Sequence, residues 1–103
     1  MSAHLLPFTA GIVAPAMGAT PHSVFDISPR SRRTRAEAVA RTGTIYLAHT
    51  VAGLSLRQLE GLMWIERREL RRSVRLIEEA REDAAFDAVM ARLEDAVREG
   101  AFG

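Results

Sequence analysis

The stretch "LSLRQLEGLMWIERRELRRSVRLIEEA", residues 54–80, decides how the chain is read. Ser55 followed three residues later by Gln58 is a capping-box signature, in which each side chain satisfies the other residue's free backbone N–H at a helix start. Leu56, Leu59, Leu62 and Met63 give the helix that follows an apolar face, and it is short, ending near Met63. A turn through Trp64 and Ile65 leads into a longer helix, from about Glu66 to Ala80. There Leu70, Val74 and Ile77 recur at the i, i+4, i+7 spacing of a packed stripe. At about 100° per residue, Arg68, Arg71, Arg72 and Arg75 fall in a sector nearly opposite Leu70 and Val74. One side of this helix is patterned for a core; the other carries arginine.

Further helices are expected on both sides of this pair. Upstream, from about Thr34 to Val51, Ala36, Val39, Ala40, Gly43, Leu47 and Val51 share one broad stripe, with Tyr46 beside it. Gly43 weakens that helix interior but permits close approach by a neighbour, and Gly53 suits a left-handed cap beyond its end. Downstream, a fourth helix from about Ala85 to Glu99 gathers Phe86, Val89, Met90, Leu93 and Val97 on one face. The expected core comprises Leu59, Leu62, Leu70, Val74, Ile77 and Leu93. Residues 1–21, punctuated by Pro7, Pro15 and Pro21, read as irregular. "HSVFDIS" (22–28) reads as a single helical turn or as a packed strap using Val24, Phe25 and Ile27. The expected organisation is a flexible N-terminal extension, residues 1–23, ahead of an all-α domain, residues 24–100.

Composition narrows the function classes. A chain of 103 residues forms one domain with a modest core. It has no cysteine, so disulfides and thiolate metal sites are excluded. No apolar run is long enough to span a membrane, and "HLLPFTAGIVAPAMGATP" (4–21) lacks the basic start of a signal peptide. The expected location is therefore the cytoplasm, in association with the nucleoid. His4 and His22 form no metal pair, and Ser55 is a helix cap without the partners of a nucleophile. No enzymatic activity, cofactor or metal is expected. The net charge of +1 conceals a polarity: eleven arginines face five acidic residues up to Ile77, and three face eight from Glu78 onward. Every one of the fourteen Lys+Arg residues is arginine. That usage fits phosphate and guanine recognition by a planar fork, and fits equally a GC-rich coding bias.

A short helix, a tight turn and a longer helix make the helix-turn-helix plan, in which the second helix enters the major groove and the first crosses the backbone. Arginines on the outer side of the second helix can fork onto guanine O6 and N7 or grip phosphates. "SPRSRRTR" (28–35) holds four arginines, and Arg32, Arg33 and Arg35 form a basic arm of the kind that enters a minor groove. Against this stands an ordinary solvated face, with Glu66, Glu69 and Glu79 pairing the arginines locally.

From about Val24 to Val97, the chain resembles the C-terminal DNA-binding domain (domain IV) of the bacterial replication initiator DnaA. "YLAHTVAGLSLRQLEGLM" (46–63) resembles the family's T/G-x-SL-x-E-I-G-x-x-F stretch, and "RLIEEAREDAAFDAVMARLE" (75–94) its Arg-Ile-Glu helix and closing helix. The resemblance implies a small Trp-repressor-like helical bundle containing a helix-turn-helix. It implies that Arg33 enters the minor groove, that Arg41 contacts phosphate, that Leu56 and Arg57 meet phosphate at a helix start, and that His49 stands at a phosphate-facing position. The base-reading signature departs from the family. In "WIERREL" (64–70), Glu66, Arg67, Arg68 and Glu69 replace an Asp, a His and two Thr, and Leu70 replaces a Val. The scaffold is kept and the reader changed. No G-x-x-x-x-G-K-[ST] occurs, so nucleotide-driven origin melting is not expected. The chain is also similar to the DnaA-like domains of gene-transfer-agent activators of alphaproteobacteria, which bind a promoter and work with a second factor on RNA polymerase. The resulting expectation is a sequence-specific transcription regulator that contacts double-stranded DNA through Glu66, Arg67, Arg68, Glu69, Arg71, Arg72 and Arg75, with Arg67 and Arg68 at the helix start reaching base edges and Arg72 and Arg75 gripping phosphate. Two alternatives stand beside it: a replication or cell-cycle regulator occupying initiator boxes, and a protein-interaction module.

Overall fold

Capping chemistry sets most of the helix boundaries. The computed structural model describes residues 3–26 and 33–102, among which the regular elements are all helices: α1 (Leu5–Ala16), α2 (Pro21–Val24), α3 (Arg35–Thr50), α4 (Leu56–Met63), α5 (Arg67–Ala80) and α6 (Ala84–Phe102). Thr34 and Glu37 close a reciprocal capping box at the start of α3, and Ser55 and Gln58 do the same for α4. Beyond α3 the chain folds back, with the N–H of Ala52 on the Leu47 carbonyl and that of Leu54 on the Ala48 carbonyl. Gly53 takes φ +82° there, as its lack of a Cβ allows. At α6, the Asp83 carboxylate accepts from the backbone N–H groups of Ala85 and Phe86.

The N-terminal segment is the principal correction. Residues 5–16, expected as part of a flexible extension, form α1, with Leu5, Leu6, Thr9, Ala10, Val13 and Ala14 buried. The prolines do not prevent this. Pro7 lies in the first turn, where its missing N–H would have had no partner, and Pro15 lies in the last, costing only a bond to exposed Gly11. The helix ends in a Schellman motif: the Gly18 N–H bonds the Pro15 carbonyl, and the Ala19 N–H bonds the Ala14 carbonyl. α1 lies mainly against α3 and also meets α2 and α6. At Gly43 a Cβ would sit 3.3 Å from Val13 Cγ1, so the close approach that this glycine permits is made by α1. The "HSVFDIS" segment contains one helical turn, α2, with Val24 fully buried; Ile27 lies outside the described residues.

α3 is the centre of the molecule. Every residue from Gly43 to Ala48 is buried, because α1 covers one side of the helix and α5 another. Thr44, buried among apolar neighbours, donates its hydroxyl to the Ala40 carbonyl, and Thr9 does the same to Leu5. Leu59, Leu70, Ile77 and Leu93 are buried as expected, whereas Val74 is only partly so. Leu62 is not in the core: it is 40% exposed. An eight-residue helix buries one narrow stripe, here Leu59 and Met63 with Leu56 packed beside them, and Leu62 lies about 100° round from Met63. At the far end of α5, Arg81 binds Asp87 at 2.5 Å and Glu94 at 3.0 Å, donates to the Tyr46 hydroxyl, and lies over the Tyr46 ring. The two carboxylates, Glu94 foremost, hold its pKa well above the ordinary arginine value. One side chain thus ties the end of α5 to both α3 and α6.

Candidate nucleic-acid interface

The connection from α4 to α5 is three residues long, Trp64–Ile65–Glu66. Trp64 takes left-handed φ 59° and its N–H bonds the Glu60 carbonyl, which stops α4; Ile65 is buried and anchors the turn; Glu66 is extended and starts α5 without a side-chain cap. Glu60 supplies the missing cap. Its carboxylate accepts from the backbone N–H of Arg67 and, at 3.0 Å, from the Arg67 guanidinium. Arg67 is therefore folded back onto α4, with its Nε buried and unpartnered, and is not presented outward with the other arginines.

Arg68, Arg71, Arg72 and Arg75 are exposed, and none makes an ion pair with a described residue. Local pairing with Glu66, Glu69 or Glu79 does not occur. Glu66, Arg68, Glu69, Arg72 and Arg75 border one open hollow along the outer face of α5. That hollow is polar, as the opposite placement of Leu70 and Ile77 in the core requires. Arg71 stands on the other flank.

A second cleft, of about 250 Å³, opens between α3 and α5, where Arg33, Arg41, Arg72 and Glu69 meet over Ile45 and Ile65. Arg41 is half committed to structure: its guanidinium donates to the Val24 carbonyl at 2.7 Å, tying α3 to α2. Burial lowers its pKa, the positive charge of Arg33 adds to that, and Glu69 and Asp26 oppose it. Arg33 is exposed and donates to the Asp26 carbonyl. Arg35 is exposed on the first turn of α3, while Arg32 lies outside the described residues.

At the start of α4, Leu56 turns its side chain toward the core, so only its backbone N–H is available to an anion; Arg57 beside it is exposed. His49 bonds the Leu54 carbonyl through Nδ1 at 2.8 Å, bracing the loop between α3 and α4. Trp64 is 83% exposed, since Ile65 rather than the indole fills the turn. Two residues of consequence had little signal in sequence. Arg81 is one arginine among many, and its role depends on Tyr46, 35 positions away. The Arg67–Glu60 pair spans a turn whose geometry no periodicity describes.

Most of the acidic side chains lie elsewhere, on the end of α5 and along α6, while Glu66 and Glu69 border this surface. No group of His, Asp and Glu suited to hold a metal ion occurs among the described residues, and no helix there is long and apolar enough to cross a membrane. No family model matches the sequence, and neither a curated protein nor a solved structure matches it.

Proposed function

We propose that the chain is a sequence-specific double-stranded DNA-binding protein that regulates transcription, with α4 and α5 acting as a helix-turn-helix on a DnaA domain IV-like bundle. One observation carries the reading: four arginines stand on the outer face of a helix whose inner face is core, and no described carboxylate pairs with them. An unpaired cationic face of this kind is matched by a polyanion. The turn before α5 supports the same reading, because a buried Ile65 and the Glu60 cap fix the helix start while leaving its outer side open. In this arrangement α5 lies in the major groove. Arg68, near its N-terminus, reaches base edges, and Arg72 and Arg75 farther along grip phosphate. Glu69, which lines the second cleft opposite Arg41 of α3 and next to Arg72 of its own helix, orients arginine rather than reading a base. Arg57, the α4 N-terminus and the arm containing Arg33 and Arg35 add contacts along the backbone. The regulator acts with a second factor or RNA polymerase, since one domain-sized interface offers limited discrimination.

The test is binding selection on a randomised duplex with the intact chain and two variants. A preferred sequence should emerge for the wild type. Arg68→Ala should relax the preference at one base pair, a guanine, at a cost of about 1–3 kcal/mol on the selected site. Arg75→Ala should weaken selected and random duplexes by similar factors. If both variants return the wild-type preference unchanged, α5 is not the reader. If no duplex is retained, the DNA-binding reading fails.

A further inference from the structure

Trp64 is the chain's one tryptophan and the most exposed of its large apolar side chains among the described residues, at 83%. It is also the one non-glycine residue with positive φ among them. Two separate costs meet at this position. A left-handed backbone strains an L side chain where glycine would sit freely, and an exposed indole leaves a large apolar surface in water. The fold gains little from either: the turn needs only the left-handed geometry, and Ile65 does the packing.

The place of the indole says what it meets. Trp64 and Glu66 flank buried Ile65, and Glu66 opens the arginine-lined hollow of α5. Trp64 therefore lies in the turn that leads into the end of α5 carrying Arg68, with part-exposed Leu62 two residues before it on α4. A protein partner would call for a wider apolar patch around a central anchor. Here a single exposed ring sits in the turn just ahead of a helix whose outer guanidinium groups make no ion pair with a described residue. A surface that alternates strong negative charge with small apolar faces is the sugar–phosphate edge of duplex DNA.

We propose that Trp64 is a DNA-contacting residue whose indole packs on deoxyribose at the groove edge beside the N-terminus of α5. The inference rests on the DNA-binding reading above and has its own readout, because the intrinsic fluorescence of the chain reports on this residue alone among tryptophans. The full chain is titrated with fluorescein-labelled duplex DNA, of selected and of mixed sequence, following both duplex anisotropy and tryptophan emission. The emission should change in step with the anisotropy. W64G should melt above the wild type, having lost the backbone strain, yet bind both duplexes about ten-fold more weakly, a change equal to roughly 1.4 kcal/mol. W64A should lose the same affinity without the gain in melting temperature, which separates the ring from the backbone. Rising anisotropy with unchanged emission, or wild-type affinity in W64G, overturns the contact and leaves DNA binding standing. A melting temperature of W64G below that of the wild type overturns the premise that the ring does not pack. No anisotropy change with any duplex removes both proposals.

Discussion

Gly43 and Val13 meet where α1 lies against α3, with 3.3 Å between Val13 Cγ1 and the place a Cβ would occupy. A larger residue there must push the two helices apart, because Val13 is fully buried and cannot swing away. Gly43→Leu should therefore destabilise by about 2–3 kcal/mol, despite the better helix propensity of leucine. A urea midpoint equal to that of the wild type would show that α1 does not hold this position in solution. Arg67 makes the opposite case, a residue whose type suggests DNA and whose partners suggest structure. Its pair with Glu60 is roughly 40% exposed on both sides, so Arg67→Ala should cost no more than about 1 kcal/mol of stability. Its effect on affinity for the selected duplex should be smaller than that of Arg68→Ala. Equal losses from the two variants would place Arg67 on the DNA after all.

α5 is the element that both the core and the candidate interface depend on. Leu70 is completely buried in its centre, while Val74 lies at the margin of the same stripe. Leu70→Ala should cost about 2–4 kcal/mol and Val74→Ala distinctly less. Thermal unfolding of the two variants checks the difference, and equal melting temperatures would mean that α5 is rotated relative to this packing. The four helices α3 to α6 were legible in sequence because each is amphipathic or capped: Thr34 and Ser55 mark two starts, and Leu70 and Ile77 give one face. α1 was not, because it has no charged face from which a period can be read, and its prolines resemble breakers. Yet its sequence carried a physical warning. From Met1 to Phe25 there is no acidic residue, lysine or arginine, and so apolar a segment has little reason to stay solvated. The same omission hid Ile45 and Ala48, which face sides of α3 that a one-stripe helix would leave wet. At the candidate site, the arginine face of α5 was legible from its period; the diversion of Arg67 and the exposure of Trp64 were not, since both follow from the geometry of the turn.

The whole molecule is electrically polar. Its radius of gyration is 12.5 Å, close to the roughly 13 Å of a compact chain of about 100 residues, so α1 and the arginine face belong to one compact unit. Most of the exposed arginines occupy α5, the α4 start and the beginning of α3, with Arg92 and Arg98 on α6, whereas α6 and the end of α5 carry most of the acid. At physiological salt the screening length is about 8 Å, against principal extents of 33 × 31 × 23 Å, so the acidic side is largely invisible to a duplex docked on the basic one. If four or five of the exposed arginines meet phosphates, the logarithm of affinity should fall against the logarithm of salt with a slope of about −4. Arg57→Ala, which leaves α5 untouched, should reduce that slope by about one unit and weaken selected and mixed duplexes alike. Replacing Asp95 and Glu99 on α6 by Asn and Gln changes the net charge by more than Arg57→Ala does, but on the distant side. Those replacements should leave both slope and affinity nearly unchanged at physiological salt. An α6 variant that shifts the slope as much as Arg57→Ala would mean that binding follows net charge rather than a face, and the orientation with α5 in the groove would have to be abandoned.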